Sequence, residues 1–275
     1  MTKRDGDGRT VLVTGASSGI GEAIAETFAA HGFDLVLSAR RRERLERVGG
    51  RLAQLHGVKA RIIPADLADP AAPAELVETL NKDGVSIDAL VNNAGYSVSA
   101  LYADAAWERH RDFLQVMVTA PCELTHQLVG GMAQRGYGRI LNVASVAGFM
   151  PGSSNYTLYG AAKSLLIKFS EALHNEQAGN GVHVTALCPG FTETEFHDVN
   201  ETRGAMKGLP RFMWLSADGV ARAGYDAVMR NQAISIPGLP YKMIVTLVRM
   251  VPLSLAQRLG AARAKLMKQA STSPG

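Results

Sequence analysis

The 275-residue sequence predicts an α/β fold, a doubly wound parallel sheet with helices on both faces. Three observations carry this reading. Short apolar runs rich in β-branched residues alternate with segments of helical spacing at least five times. The first run passes into the first helix through a glycine turn. Polar and small residues gather where the runs end, at Asp66, Asn92–Asn93, Ser145 and Pro189–Gly190, and in such sheets ligands bind outside the strands' carboxyl ends.

Composition sets the bounds. With 47% hydrophobic and 20% charged residues, the chain suits one large domain with a substantial core. Residues 1–9 are polar and read as a disordered leader rather than a signal peptide. Cys122 and Cys188 lie in apolar contexts, so a reducing, cytoplasmic setting without a disulfide framework is expected. The seven histidines are scattered and no metal constellation is apparent. Net charge is +4, but no acidic residue follows Asp226, whereas Arg230, Lys242, Arg249, Arg258, Arg263, Lys265 and Lys268 do. Setting those seven aside leaves 22 basic against 25 acidic residues, so the body has no basic excess for nucleic acid.

In chain order, residues 10–15 (TVLVTG) form a buried strand, and Ile20, Ile24 and Phe28 mark a helix closed by Gly32. Gly15, Gly19 and Gly21, with Ser17, Ser18 and Ile20, fill the turn between them. Without a Cβ the backbone can approach a ligand, and the helix N-terminus offers N–H groups to a pyrophosphate. The second strand, residues 33–40, ends in Ser38-Ala39-Arg40-Arg41-Arg42 with no carboxylate before Glu43. A carboxylate there would hold ribose hydroxyls; Arg40 and Arg41 instead favour a 2′-phosphate, hence NADP(H) over NAD(H). The alternative for these arginines is a solvated helix start.

The third strand ends at Asp66–Leu67, where Asp66 either meets the adenine or caps the next helix, which Asp69 and Pro70 begin. The fourth runs into Asn92, Asn93, Ala94 and Gly95; these amides brace neighbouring strand ends, border the cofactor, or both. A long helix over about 104–134 is expected to kink at Pro121. The fifth strand, GRILNVAS, delivers Ser145, and the following helix carries Tyr159 and Lys163 four residues apart, on one face. A lysine ammonium beside a phenol lowers a pKa that is ordinarily about 10. Such an acid with a hydroxyl donor suits reduction of a carbonyl or oxidation of an alcohol. A sixth strand ends in Pro189–Gly190.

These residues together resemble the short-chain dehydrogenase/reductase family: Thr14-Gly15-Ala16-Ser17-Ser18-Gly19-Ile20-Gly21, Asp66-Leu67, Asn92-Asn93-Ala94-Gly95, Ser145, Tyr159-x-x-x-Lys163 and Pro189-Gly190-x-x-x-Thr194, in the family's order over residues 10–195. The resemblance implies a Rossmann-type single domain, a nicotinamide cofactor and a homodimer or homotetramer. It makes Tyr159 the general acid or base, Lys163 its pKa-lowering partner and ribose ligand, and Ser145 the group that polarises the substrate carbonyl. Gly15, Ser17, Ile20, Arg40 and Asn92 would line the cofactor, with Ser18, Gly19, Gly21, Arg41, Asp66, Leu67, Ala94, Gly95, Pro189, Gly190 and Thr192 alongside. Thr194 would contact the carboxamide. Two departures stand out. Met117 occupies the place of the family's usual asparagine, which helps organise a proton-relay water, and a thioether is at best a weak acceptor. Ser145 precedes Tyr159 by fourteen residues, one more than expected, with Ser153 and Ser154 as weaker alternatives in the intervening loop. Tyr156 cannot replace Tyr159, because Gly160 follows it four residues later.

Residues 10–238 are expected to form the catalytic domain. Within it, about 191–215 reads as an apolar lid carrying Phe191, Phe196, Met206, Phe212, Met213 and Trp214. With Tyr96, Phe149 and Met150 nearby, the expected substrate is a small hydrophobic carbonyl or alcohol. Residues 239–275 form a basic amphipathic tail that covers its own domain, meets a partner subunit or lies on an anionic membrane surface. The alternative function, prompted by Met117, is an NADP(H)-binding sensor or scaffold with weak or lost catalysis.

Overall fold

The computed structural model describes residues 4–152, 154, 156–193 and 210–251. Its centre is a parallel sheet of seven strands. In chain order the first six are β1 (Thr10–Thr14), β2 (Asp34–Ser38), β3 (Ala60–Ile62), β4 (Ala89–Asn92), β5 (Gly138–Val143) and β6 (Val182–Leu187). Two short strands, β7 (Thr192–Glu193) and β8 (Leu215–Ser216), pair with each other in a separate ribbon, and β9 (Ile234–Ser235) closes the main sheet. The order across that sheet is β3-β2-β1-β4-β5-β6-β9, reversing direction between β1 and β4. This is the doubly wound arrangement the sequence predicts, with its switch point beside the glycine turn.

β1 and β4 are mostly apolar and buried because both of their faces are covered, while β5 interrupts its apolar run with the buried Arg139 and Asn142. On one face α1 (Gly19–Ala30) and α2 (Arg42–His56) pack Ile24, Phe28 and Leu45 against Val11, Val13 and Leu35; α7 (Ala217–Met229) adds Val220 and Val228 to the same cluster. On the other face α3 (Ala72–Lys82), α5 (Ala120–Gln134) and α6 (Thr157–Glu176) bury Leu76, Leu80, Leu124 and Leu173 against Leu12, Leu90 and Ile140.

A polar seam crosses this second face. Asn92 Nδ2 donates to the Asn142 side-chain oxygen (2.8 Å), Thr125 Oγ1 (3.1 Å) and the Pro121 carbonyl (3.3 Å). Asn142 Nδ2 in turn donates to Ser170 Oγ (2.9 Å), whose hydroxyl donates to the Leu166 carbonyl. Desolvated amides are costly unless paired, and these two pair with each other, stitching β4 to β5 and both strands to α5 and α6.

The long helix differs from its sequence-based expectation. It comprises α4 (Trp107–Leu114), a π-helical turn over Gln115–Thr119, and α5. The irregularity therefore precedes Pro121 instead of centring on it. Proline has no N–H to return to the Met117 carbonyl, so regular i→i−4 bonding fails on the N-terminal side of the ring. β9 was not anticipated, because ISIP is too short to display a strand period. α3 begins at Ala72 with Pro73 in its first turn, two residues beyond the Asp69–Pro70 start. The last described helix, α8 (Leu239–Met250), opens the tail and is anchored by Tyr241 and Val245, both buried.

Candidate active site

The strand ends bring most of the expected residues to one edge. Gly15 and Gly19 adopt φ values of +66° and +61°, a region that favours glycine. A Cβ on Gly15 would lie 2.8 Å from Ala94 Cα, and one on Gly21 would lie 2.3 Å from the Gly15 carbonyl oxygen. The turn is thus folded tightly against β4's end. Thr14 Oγ1 accepts from the backbone N–H of Asn93 (3.0 Å) and of Ala94 (3.2 Å), while Asn93 Nδ2 donates to the Thr14 and Gly15 carbonyls. Ser18 caps α1 without bonding the helix through its side chain, leaving the first-turn N–H groups without a side-chain cap.

Arg41 reaches this turn directly, its Nη2 lying 3.2 Å from Ser17 Oγ and 3.4 Å from Ser18 Oγ. Arg40 is exposed and its charge is felt at Tyr96. Asp66 is exposed and accepts from the Ala68 N–H, while Asp69, by accepting from Ala71, forms the turn before α3. Leu67 is buried against Ala72, Val116 and Ala120. Asn92 needs correction as a cofactor-facing side chain: its amide points into the polar seam, and Asn93 is the neighbour that touches the glycine turn. Asn93, read together with Asn92, and Thr14, read as part of the glycine motif, were not singled out individually as cofactor-lining residues. The signal was the doubled asparagine, but a sequence cannot say which of two adjacent amides faces which side of a strand end.

Ser145 follows β5 and caps a short 3-10 turn, Val146–Phe149, accepting from the Ala147 N–H at 3.1 Å. Its hydroxyl lies 3.4 Å from the Pro189 carbonyl and sits near enough to the Tyr159 phenol to favour its ionised form. Gly148 lets this turn sit on α6, since a Cβ there would lie 2.8 Å from the backbone of Lys163. The fourteen-residue spacing is therefore accommodated without separating the serine from the tyrosine. Tyr156 instead caps α6, its phenol oxygen 3.4 Å from Ser99 Oγ. Ser154 is partly buried, and Ser153 lies outside the described residues.

The expected electrostatics of the pair need revising. Lys163 is 6% exposed and donates to the Val143 carbonyl at 2.7 Å, with its ammonium 5.8 Å from the Tyr159 ring centroid. Burial lowers the Lys163 pKa to about 8, partly opposed by the neighbouring Cys188. Tyr159 is pushed up to about 12, because desolvation outweighs the Ser145 hydrogen bond. The lysine does not depress the phenol in this arrangement; its hydrogen bond goes to the strand.

Val98, Ala100, Phe113 and Leu158, with Tyr102, His110 and Thr157, enclose a space beside Tyr159 of only about 10 Å³, roughly the room of one water. His110 is 5% exposed; Nε2 bonds the Tyr102 carbonyl at 3.0 Å and Nδ1 has no partner. Nothing in the sequence distinguished it from the other histidines. Met117 is fully buried here, its sulfur 2.8 Å from where a Gly95 Cβ would stand. The glycine that follows β4 thus makes room for the methionine.

Gly190 seats the Tyr241 ring, which a Cβ would meet at 2.0 Å. The Tyr241 hydroxyl accepts from the Phe191 N–H (3.0 Å) and donates to the Met213 carbonyl (2.5 Å), so α8 ties both ends of the expected lid to the site. Thr192, buried in β7, donates to the Gly190 carbonyl at 3.1 Å. Phe191 and Trp214 pack with ring centroids 6.0 Å apart. Thr194, Phe196 and Met206 lie outside the described residues. Among the described residues there is no His/Cys/Asp/Glu group suited to a metal ion. No described helix is long and apolar enough to cross a membrane.

A phosphate-approaching glycine turn facing a Ser–Tyr–Lys group across one sheet edge is the layout of a dinucleotide-dependent oxidoreductase. Comparison with known proteins agrees. A family model described as short chain dehydrogenase matches residues 9–204. Nodulation protein G of Rhizobium sp. (strain N33) is 35% identical over 238 residues, 84% of this chain and 93% of that protein. Among solved structures, a short-chain dehydrogenase from Sphingobium yanoikuyae in complex with NADPH is 32% identical, covers 97% of this chain and 96% of its own, and superimposes with a TM-score of 0.76. The bulky-bulky ketone specific alcohol dehydrogenase from Comamonas testosteroni is 29% identical with the same coverages and a TM-score of 0.72. The chain belongs to the short-chain dehydrogenase/reductase family and is an oxidoreductase of that class.

Proposed function

We propose that this enzyme transfers hydride between NADP(H) and a hydrophobic ketone or secondary alcohol, with Tyr159 as the acid or base. The observation that carries the proposal is the placement of Ser145 beside the Tyr159 phenol, with Lys163 one turn along the same helix. The glycine turn, the first-turn N–H groups of α1, Arg41 and Asp66 fit an adenine dinucleotide phosphate. A Cβ at Gly15 or Gly21 would collide with Ala94 or with the Gly15 carbonyl, so these glycines are what let the turn fold this tightly. When bound, the nicotinamide supplies or accepts the hydride. In reduction, Ser145 donates a hydrogen bond to the carbonyl oxygen and Tyr159 delivers the proton to it. Lys163 holds positive charge at the base of the site. The NADPH-bound relative and the bulky-ketone relative, each matched over nearly the full chain, support the cofactor and a ketone substrate.

The test is a panel of ketones and alcohols followed at the nicotinamide absorbance with each cofactor. Wild-type turnover of apolar ketones is expected, falling about 10²- to 10⁴-fold in Tyr159→Phe while cofactor binding persists. Undiminished turnover in Tyr159→Phe refutes the mechanism. Met117 supports a second reading, since its buried thioether stands where the relay residue is expected. Tight NADPH binding without turnover across the whole panel would establish that sensor or scaffold role instead.

A further inference from the structure

We infer that α8 is a membrane-docking surface, which seats the enzyme on anionic lipid with the mouth of the site beside the bilayer. Its residues divide cleanly around the helix. Tyr241 and Val245 are buried against the body. Leu239, Met243, Leu247 and Met250 are between 64% and 76% exposed, and at 100° per residue they fall within one outward stripe. Four large apolar side chains exposed on three turns of one helix are unusual for a surface that meets only water.

Lys242 and Arg249 flank that stripe, and both are exposed. Arg249 also stacks over the Phe149 ring at 4.8 Å, so this basic flank touches the turn that Ser145 caps. Phe212, 69% exposed, is carried on the segment whose Met213 carbonyl accepts from Tyr241. The apolar stripe, the basic flank and the lid base are thus one connected edge.

Charge decides the occupant. A second copy meeting this face symmetrically would set Lys242 and Arg249 against their own counterparts. The chain's own segment 252–275 carries Arg258, Arg263, Lys265 and Lys268 and no acid, so it brings like charge to the same face. Neither the opposed copy of this helix nor the segment after it supplies an anion, because no acidic residue follows Asp226. Anionic lipid supplies apolar depth for the stripe and negative headgroups for the flank. The docking stands apart from the catalytic proposal; only its use, drawing an apolar substrate from the bilayer, rests on that reading.

Flotation of the full chain with phosphatidylcholine vesicles, with and without phosphatidylglycerol, tests it independently of activity. Expected is recovery with the anionic vesicles that weakens with salt. Lys242→Gln should lower the partition coefficient about fivefold. Met243→Glu/Leu247→Glu should lower it tenfold or more, while NADPH binding shows that this surface variant is folded. Absence from anionic vesicles overturns the inference, as does a double variant that floats undiminished. Light scattering covers the competing occupant: a wild-type dimer that the double variant dissolves, without flotation, assigns the stripe to a second copy and overturns the lipid reading.

Discussion

Replacing Arg41 with alanine isolates the feature that separates NADPH from NADH. Its guanidinium stands 3.2 and 3.4 Å from the Ser17 and Ser18 hydroxyls, at the turn where the adenosine end of the dinucleotide is expected. A hydrogen bond to a charged group contributes about 1.5–3 kcal/mol when sheltered, and an exposed charge pair about 0.2–1 kcal/mol. Arg41 is exposed but braced by two serines, so about 1–2 kcal/mol is a reasonable central value, roughly five- to thirtyfold in affinity. NADH lacks the 2′-phosphate and should bind the variant within about twofold of wild type on the same reasoning. Fluorescence titration of both cofactors gives the two dissociation constants directly. Parallel losses for NADPH and NADH would show that Arg41 merely holds the turn together, and unchanged NADPH binding would show that it is not a phosphate ligand. Arg40→Ala is the control: its charge acts near Tyr96, so its effect should be the smaller of the two.

Other consequences follow from the same contacts. Lys163 has a folded pKa near 8, below its ordinary 10.5; the unfolded chain therefore binds more protons between these values, and stability should rise with pH across that window. At about 1.4 kcal/mol per pKa unit the gain reaches roughly 3 kcal/mol. Denaturant titrations of the cofactor-free protein from pH 7 to beyond 9 should show a rise in wild type that Lys163→Met abolishes. Asn142→Leu removes the amide shared by Asn92 and Ser170, and urea unfolding should show a loss of about 2–4 kcal/mol; a loss below about 0.5 kcal/mol would mean the seam is not a unit. Gly190→Ala drives a Cβ into the Tyr241 ring and should cost about 3 kcal/mol. Because Tyr241 holds Phe191 and Met213, substrate KM should rise in that variant more than cofactor affinity falls.

Much of the fold was legible because parallel strands covered on both faces leave largely apolar runs. Glycine, Asn–Asn, serine and Pro–Gly punctuation then marks where each run reaches the ligand edge. β9 was not legible: two residues have no period, and their pairing with Ala186 and Leu187 is decided across the chain. Neither was the form of the break before Pro121: a proline predicts that regular bonding fails, but not that a π turn takes it up.

The sequence by itself determined the doubly wound class, the glycine turn, and Tyr159 and Lys163 on one helical face, since each follows from local periodicity or backbone sterics. Tertiary structure alone decided that Arg41 reaches the turn, that Asn93 and not Asn92 borders it, and that Lys163 bonds the Val143 carbonyl while desolvation pushes the Tyr159 phenol up. Those outcomes depend on side-chain direction at strand ends and on desolvation, which are fixed only when distant elements pack together.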